Sequence, residues 1–273
     1  MHIGARRMLA ACVLLLAFAS QAAAQAEPEA GRSLLFQDEF QSFEIWNGQR
    51  GWNVTGGPQW KGRIIRPGTM PFNYEIGWYA DPTWELAKVN PFVLRNGKLA
   101  IRATPDEQVN YFDRFPYTSG MINSFRAFRH RYGYFEMRAK LARGRGFVPA
   151  FWLLPADSSY GEIDIMEILG SNTKELYTTV HSYSTGRLVS TGKKTVIPDA
   201  AESFHTYGVD WQRDYITWYF DGERIFRAKT PDDLHRPVYM ILNLAVGGNW
   251  PGLPADGHSS SLTVDYIRVY SRK

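Results

Sequence analysis

The sequence predicts an all-β sandwich, and three observations carry that expectation. Short alternating or apolar runs recur where a helical period is hard to find, two hairpin-type dipeptides sit between such runs, and one run is apolar on both faces. The runs are residues 92–94, 98–103, 134–141, 177–183, 215–220, 238–245 and 262–270. Asn96-Gly97 and Asp221-Gly222 supply the positive-φ positions that tight antiparallel hairpins require. Along residues 215–220, Tyr215, Thr217 and Tyr219 alternate with Ile216, Trp218 and Phe220, which suits a strand covered on both sides by packed sheets. Residues 51–84 hold many Gly and Trp with little period, and are expected as long loops on one side of the sandwich, where binding walls are commonly built.

Composition agrees with a folded, secreted chain. Aromatic residues make up 15% of the 273, enough for a large core and too many for a disordered segment. A net charge of +4 with 44% hydrophobic residues excludes an integral membrane protein and gives no reason to expect nucleic acid. Arg6 and Arg7 lead into an apolar run at 8–19 and then Gln21-Ala22-Ala23-Ala24-Gln25, the pattern of a secretory signal peptide cleaved after Ala24. That run falls short of the roughly 20 residues a spanning helix needs. Residues 1–24 are thus expected as a signal, 25–33 as a linker, and 34–273 as one β-sandwich domain, periplasmic or extracellular and monomeric. The single cysteine, Cys12, lies in the signal, so disulfide and thiol chemistry are not expected in the mature chain. Leu9-Ala10-Ala11-Cys12 is similar to a lipoprotein box, but most of the apolar run follows Cys12 where processing needs it before, which disfavours a lipid anchor.

The segment Gly161-Glu162-Ile163-Asp164-Ile165-Met166-Glu167-Ile168-Leu169-Gly170 carries three acids in a run otherwise of Ile, Met and Leu. In a regular strand Glu162 and Asp164 share one face and Glu167 takes the other, which buries a charge somewhere. One β-bulge near Ile165-Met166 shifts the phase and returns Glu167 to the face of the other two. The two glutamates then stand four steps apart, about 13 Å between α-carbons at roughly 3.3 Å per step, and side chains leaning inward narrow that gap. Retaining hydrolysis of a glycosidic bond needs two carboxyl groups about 5–5.5 Å apart, one to attack the anomeric carbon and one to protonate the leaving oxygen. Asp164, between them, would hold negative charge near the acid and hydrogen-bond the nucleophile. Outward strand acids on a solvated face, or a Ca²⁺ site, are the competing explanations; the second lacks the Asn, Gly and turn residues of a calcium loop.

Glu162-Ile163-Asp164-Ile165-Met166-Glu167 resembles the bulged E-x-D-x-x-E signature of glycoside hydrolase family 16. Five further segments, at 132–140, 149–152, 205–211, 243–252 and 264–270, resemble family segments in the family's order. The resemblance implies a β-jelly-roll (concanavalin A-like) of two curved antiparallel sheets. It also implies retaining endo-hydrolysis of internal β-1,3 or β-1,4 glucosidic bonds in a glucan or bacterial exopolysaccharide. Glu162 would be the nucleophile, Glu167 the acid/base and Asp164 the assisting acid, with no cofactor required for catalysis. The bulged spacing is similar to laminarinase-like members and exopolysaccharide endoglycanases, not to lichenases or plant xyloglucan enzymes with E-x-D-x-E. The resemblance further implies a structural calcium ion on the convex side, with Asp265 as a ligand and Asp38 or Glu39 contributing; a surface strand acid is the alternative for Asp265.

A polysaccharide cleft needs Trp or Tyr platforms beside hydrogen-bonding groups. Asn249-Trp250, in a Gly-rich loop, fits that demand, and Trp152 is the cleft candidate of its segment, with Phe151 divided between core and cleft. Val148 stands where many laminarinase-like members carry a Trp, which removes one platform. His181 alternates with Tyr177, Thr179 and Tyr183 and is expected opposite the acids, a structural histidine being the alternative. Trp78 and Trp84 are candidates for outer subsites. Two other function classes fit a sandwich of this composition: a carbohydrate-binding protein, which needs neither glutamate, and a jelly-roll polysaccharide lyase acting on uronic acids.

Overall fold

The computed structural model describes residues 31–54, 74–83, 89–105, 115–157, 159–255 and 257–272. The expected signal segment with Cys12, residues 25–30 of the expected linker, and Trp84 lie outside them. Among the described residues, seventeen strands and one 3₁₀ turn form. In chain order they open with β1 (Leu34–Asp38), β2 (Asn53–Val54), β3 (Gly77–Tyr79), β4 (Phe92–Leu94), β5 (Leu99–Pro105), β6 (Tyr117–Ser119) and β7 (Met121–Asn123). There follow β8 (Gly133–Lys140), β9 (Phe147–Pro155), β10 (Glu162–Ile168), β11 (Glu175–Ser182) and β12 (Val189–Val196). The last five are β13 (His205–Trp211), β14 (Tyr215–Phe220), β15 (Glu223–Lys229), β16 (Val238–Val246) and β17 (Ser260–Tyr270), with the 3₁₀ turn at Asp232–Leu234.

Seven strands form one sheet in the order β12-β11-β10-β9-β16-β7-β2. The other has ten, running β15-β14-β13-β8-β17-β5-β6-β3, with β1 added beside β17 and β4 beside β5. Strand pairs are antiparallel except β3 with β6. Neighbours far apart in sequence, such as β8 with β17 and β9 with β16, are the long crossovers of a jelly roll. Both hairpin expectations hold: Asn96 and Gly97 have φ of 51° and 64°, and Asp221 and Gly222 have 48° and 77°. No helix among the described residues is long and apolar enough to cross a membrane.

The core between the sheets is built from the inward half of each strand. Ile163, Ile165, Met166 and Ile168 of β10 meet Trp211, Ile216, Trp218 and Val209 of the opposing sheet in one buried cluster. A second, smaller cluster of Tyr79, Met121, Ala150, Trp152, Tyr239 and Ile241 is separate from the first. The cross-strand pairs of Trp152 with Asp164 and with Ile241 place it on the outer face of the seven-stranded sheet, so that face also carries apolar cover.

Several strands lie outside the predicted runs, and three departures from the sequence expectation have a clear physical reason. β12 is exposed at nearly every position, yet it pairs with β11 at eight consecutive residues. As an edge strand it buries neither face, so no alternation marks it, and Lys193 and Lys194 blunt the edge. Within the expected loops at 51–84, Trp52 is buried and donates from Nε1 to Asp38 Oδ2 at 2.7 Å, a core role rather than a wall. The last residues of the expected linker are tied down as well: Arg32 Nη2 pairs with Asp210 Oδ2 at 2.7 Å, and Ser271 N donates to Ser33 O at 2.8 Å.

Candidate active site

The bulge that the acid spacing demands is present in β10. On the β9 side, Asp164 faces Trp152 and Met166 faces Phe151, so Ile165 is the extra residue; on the β11 side the register shifts between Asp164 and Glu167. Directly paired residues share a face. Glu162 pairs with His181, Asp164 with Thr179 and Trp152, and Glu167 with Tyr177 and Ala150, while Ile163 and Met166 pair with the core residues Val180, Leu153 and Phe151. All three acids therefore line the outer face of the seven-stranded sheet, and the core receives only apolar side chains from this strand.

A bulge disrupts the ladder locally and leaves backbone groups to be satisfied elsewhere. Here the fully buried Trp218, from β14 in the other sheet, donates from Nε1 to the backbone carbonyl of Asp164 at 2.8 Å. The two sheets are thus joined by a hydrogen bond at the residue where β10 changes phase. Stacking of Trp218 on Phe226, with ring centroids 5.0 Å apart, fixes the indole.

His181 is placed opposite the acids, as expected. Its Nε2 lies 3.0 Å from Asp164 Oδ2 and its Nδ1 lies 2.7 Å from Ser190 Oγ, so the ring is oriented from both sides. Ligand atoms of Glu162, Asp164 and His181 fall within 4.8 Å of one another. Burial holds the Glu167 carboxyl well above the ordinary glutamate range; repulsion from Asp164 and then Glu162 adds to this, and His181 partly offsets it. Its surroundings therefore favour the protonated form of Glu167.

The remaining predicted residues fall into different situations. Trp152 faces the cleft side but is only 3% exposed, so it does not offer a stacking surface; its Nε1 donates to Asn243 Oδ1 at 2.8 Å. Asn243 in turn donates to the Tyr79 hydroxyl at 3.2 Å, which donates to the buried Glu75 at 2.8 Å. This polar chain runs from the face of the acids and has no sequence signal, because Glu75 and Tyr79 lie in a region without period and Asn243 in an apolar strand. Phe151 is core. Trp250 is 46% exposed and meets Tyr177 edge-on with centroids 5.0 Å apart, which brings the exposed Asn249-Trp250 turn beside the Glu167 row. Trp78, in β3, packs against Phe115 with ring centroids 5.8 Å apart, and Val148 is buried in β9.

The metal-ligand expectation at Asp265 does not fit the charges found there. Lys98 Nζ lies 2.7 Å from Asp265 Oδ1, and Arg138 bonds Oδ2. Burial works to raise the Asp265 pKa, but these two cations outweigh it and hold the carboxyl below its usual range. Glu39 forms a two-pronged pair with Arg268 at 2.8 and 3.1 Å, and Asp38 accepts from Trp52 Nε1 and from the Phe40 amide at 2.8 Å. A dication would have to displace ammonium and guanidinium groups already neutralising these oxygens, which is not the oxygen-rich donor set Ca²⁺ takes.

Comparison with known proteins gives a consistent result. Residues 79–268 match glycosyl hydrolases family 16. The chain is 43% identical over 251 residues to endo-1,3-1,4-beta-glycanase ExsH of Rhizobium meliloti (strain 1021), covering 88% of this chain and 52% of that protein. It is 39% identical over 243 residues to endo-1,3-1,4-beta-glycanase EglC of the same organism, covering 86% and 51%. The chain thus spans about half the length of the curated relatives it matches. Among solved structures it superposes on the laminarinase catalytic domain of Thermotoga maritima MSB8 with a TM-score of 0.75 and 31% identity, covering 89% of this chain and 99% of that one.

Proposed function

The chain belongs to glycosyl hydrolases family 16, and from that premise we propose that it is an endo-acting, retaining β-glycanase cutting internal β-1,3 or β-1,4 glucosidic bonds of a glucan or bacterial exopolysaccharide. The observation that carries this is the bulged strand β10, which turns Glu162, Asp164 and Glu167 to one face and raises the proton affinity of Glu167. In the first step a Glu162 carboxylate oxygen bonds to the anomeric carbon. The bond from that carbon to the leaving sugar's oxygen breaks, and Glu167 gives its proton to that oxygen. In the second step Glu167, now a carboxylate, takes a proton from water as the water oxygen bonds to the anomeric carbon and Glu162 leaves. Asp164, paired with His181, lies on the same face as both glutamates.

The names of the relatives support the two linkages, and the bulged spacing supports the laminarinase-like and exopolysaccharide branch. The N-terminal pattern at 1–24 supports action in the periplasm or outside the cell, and a monomer suffices because every proposed catalytic group comes from one chain. Endo-action makes a distinct prediction: with mixed-linkage β-glucan and laminarin, viscosity falls well ahead of reducing-end release. Release of unsaturated, ultraviolet-absorbing products would instead mark a lyase, and binding without cleavage a lectin-like sandwich.

Structural support on the convex side comes from Lys98 and Arg138 rather than a dication at Asp265. The melting temperature is therefore expected to stay unchanged on dialysis against EDTA and on calcium addition. Asp265→Ala, which strands two cations, should lower it by about 2–4 °C per kcal/mol lost. A calcium-dependent rise would contradict this assignment.

A further inference from the structure

Resting on the hydrolase reading, we propose that Tyr160 and Tyr183 form a sugar platform on the flank of the cleft beside Glu162, receiving a pyranose ring next to the one that is attacked. The two rings are exposed, 54% and 39%, and lie with centroids 4.6 Å apart at 41°. Their position follows from β11. Leu176, Thr178, Val180 and Ser182 are buried, while Tyr177, Thr179 and His181 turn toward the carboxylates; Tyr183 follows the last residue of β11, is exposed, and packs on Tyr160, two residues before Glu162. Tyr183 is two residues beyond His181, which faces Glu162. Two residues of chain span at most about 7 Å, a reach suited to the sugar adjoining the reacting one.

The platform is fixed before any ligand arrives. Asp233 accepts from Ser182 Oγ at 2.8 Å and from the Tyr183 amide at 2.7 Å, which clamps the end of β11 on the 3₁₀ turn. On the other side, Gly161 has φ of 115°, and a Cβ there would lie 2.9 Å from Leu234, so the chain entering β10 is held in a conformation only glycine takes readily. Preorganised rings lose little freedom on binding. Tyrosine suits the ligand, since its flat face packs on the C–H side of a pyranose while its hydroxyl stays wet. At the opposite end of the same row, Tyr177 and Trp250 make a second aromatic pair beside Glu167, so the carboxylates are bracketed by aromatic surface.

The test is steady-state kinetics of Tyr160→Ala, Tyr183→Ala and the double variant on a linear mixed-linkage β-glucan, a side-branched β-1,3-glucan and a short aryl β-glycoside. The double variant should lose about tenfold in kcat/KM on polymer through KM, with the aryl glycoside and the melting temperature unaffected and the Phe variants close to wild type. Loss on both polymers assigns the platform to the main chain; loss on the branched one alone assigns it to a side branch. Equal kcat/KM for wild type and double variant on both polymers would overturn the proposal. If the wild type cleaves neither polymer, the hydrolase reading fails separately, and affinity electrophoresis in the same glucans decides the platform. Retardation of the wild type that the double variant loses supports it, and equal mobility overturns it.

Discussion

Glu162→Gln is expected to reduce turnover of β-glucan by on the order of 10⁴-fold or more while leaving the fold and the binding of polymer intact. The amide matches the carboxylate in shape, sits on the same outward face opposite His181, and removes only the ability to bond to the anomeric carbon. Glu162→Gly opens space for an added anion. With azide and a substrate bearing a good leaving group, it should form a glycosyl azide of inverted configuration, because azide then attacks from the side the carboxylate used. Reducing-end release by Glu162→Gln at the wild-type rate would remove the nucleophile assignment.

Glu167→Gln is expected to cost 10²–10⁴-fold on polysaccharide, the range of general acid–base catalysis. The first step on an aryl glycoside with a good leaving group should be largely spared, since such a group needs no proton. The alkaline limb of the pH–rate profile should disappear with the side chain that produces it. The same substitution has an opposite effect on stability. Glu167 has its folded-state pKa raised by burial and by Asp164 and Glu162, so the folded protein holds a proton that the unfolded chain gives up. Its contribution is fully present below the ordinary glutamate value of 4.5 and is lost as pH rises through the raised one. Glu167→Gln should therefore melt above wild type near neutral pH and equal to it near pH 4, a gain in stability made by giving up the acid. A lower melting temperature for Glu167→Gln at neutral pH would contradict the raised proton affinity.

The sandwich was legible where strands bury one face or both, as in β4, β14 and β16, because alternation and apolar runs record burial directly. It was illegible in β12, whose two wet faces leave no pattern, and in β2 and β3, which are two and three residues long. The bulge could be placed from three acids alone, since only a phase shift keeps Glu167 out of the core. Its clamp could not: the bond from Trp218 to the Asp164 carbonyl joins residues 54 apart, and nothing in a core tryptophan's sequence context marks its ring nitrogen's partner. Trp152 shows the limit from the other side, because a strand residue can share the face of the acids and still be buried, in a cluster with Tyr79 and Met121 from distant segments. The ion pairs of Asp265 were illegible too, because Lys98 and Arg138 come from a separate turn and strand.

The anomeric configuration of the first sugar released from β-glucan, followed by proton NMR before mutarotation sets in, reports directly on whether two displacements occur at one carbon. Glu162 and Glu167 working as attacking group and proton carrier predict the β-anomer as the initial product. Initial appearance of the α-anomer would mean that water attacks directly, with no glycosyl–Glu162 bond, and the pairing of these two acids would be wrong.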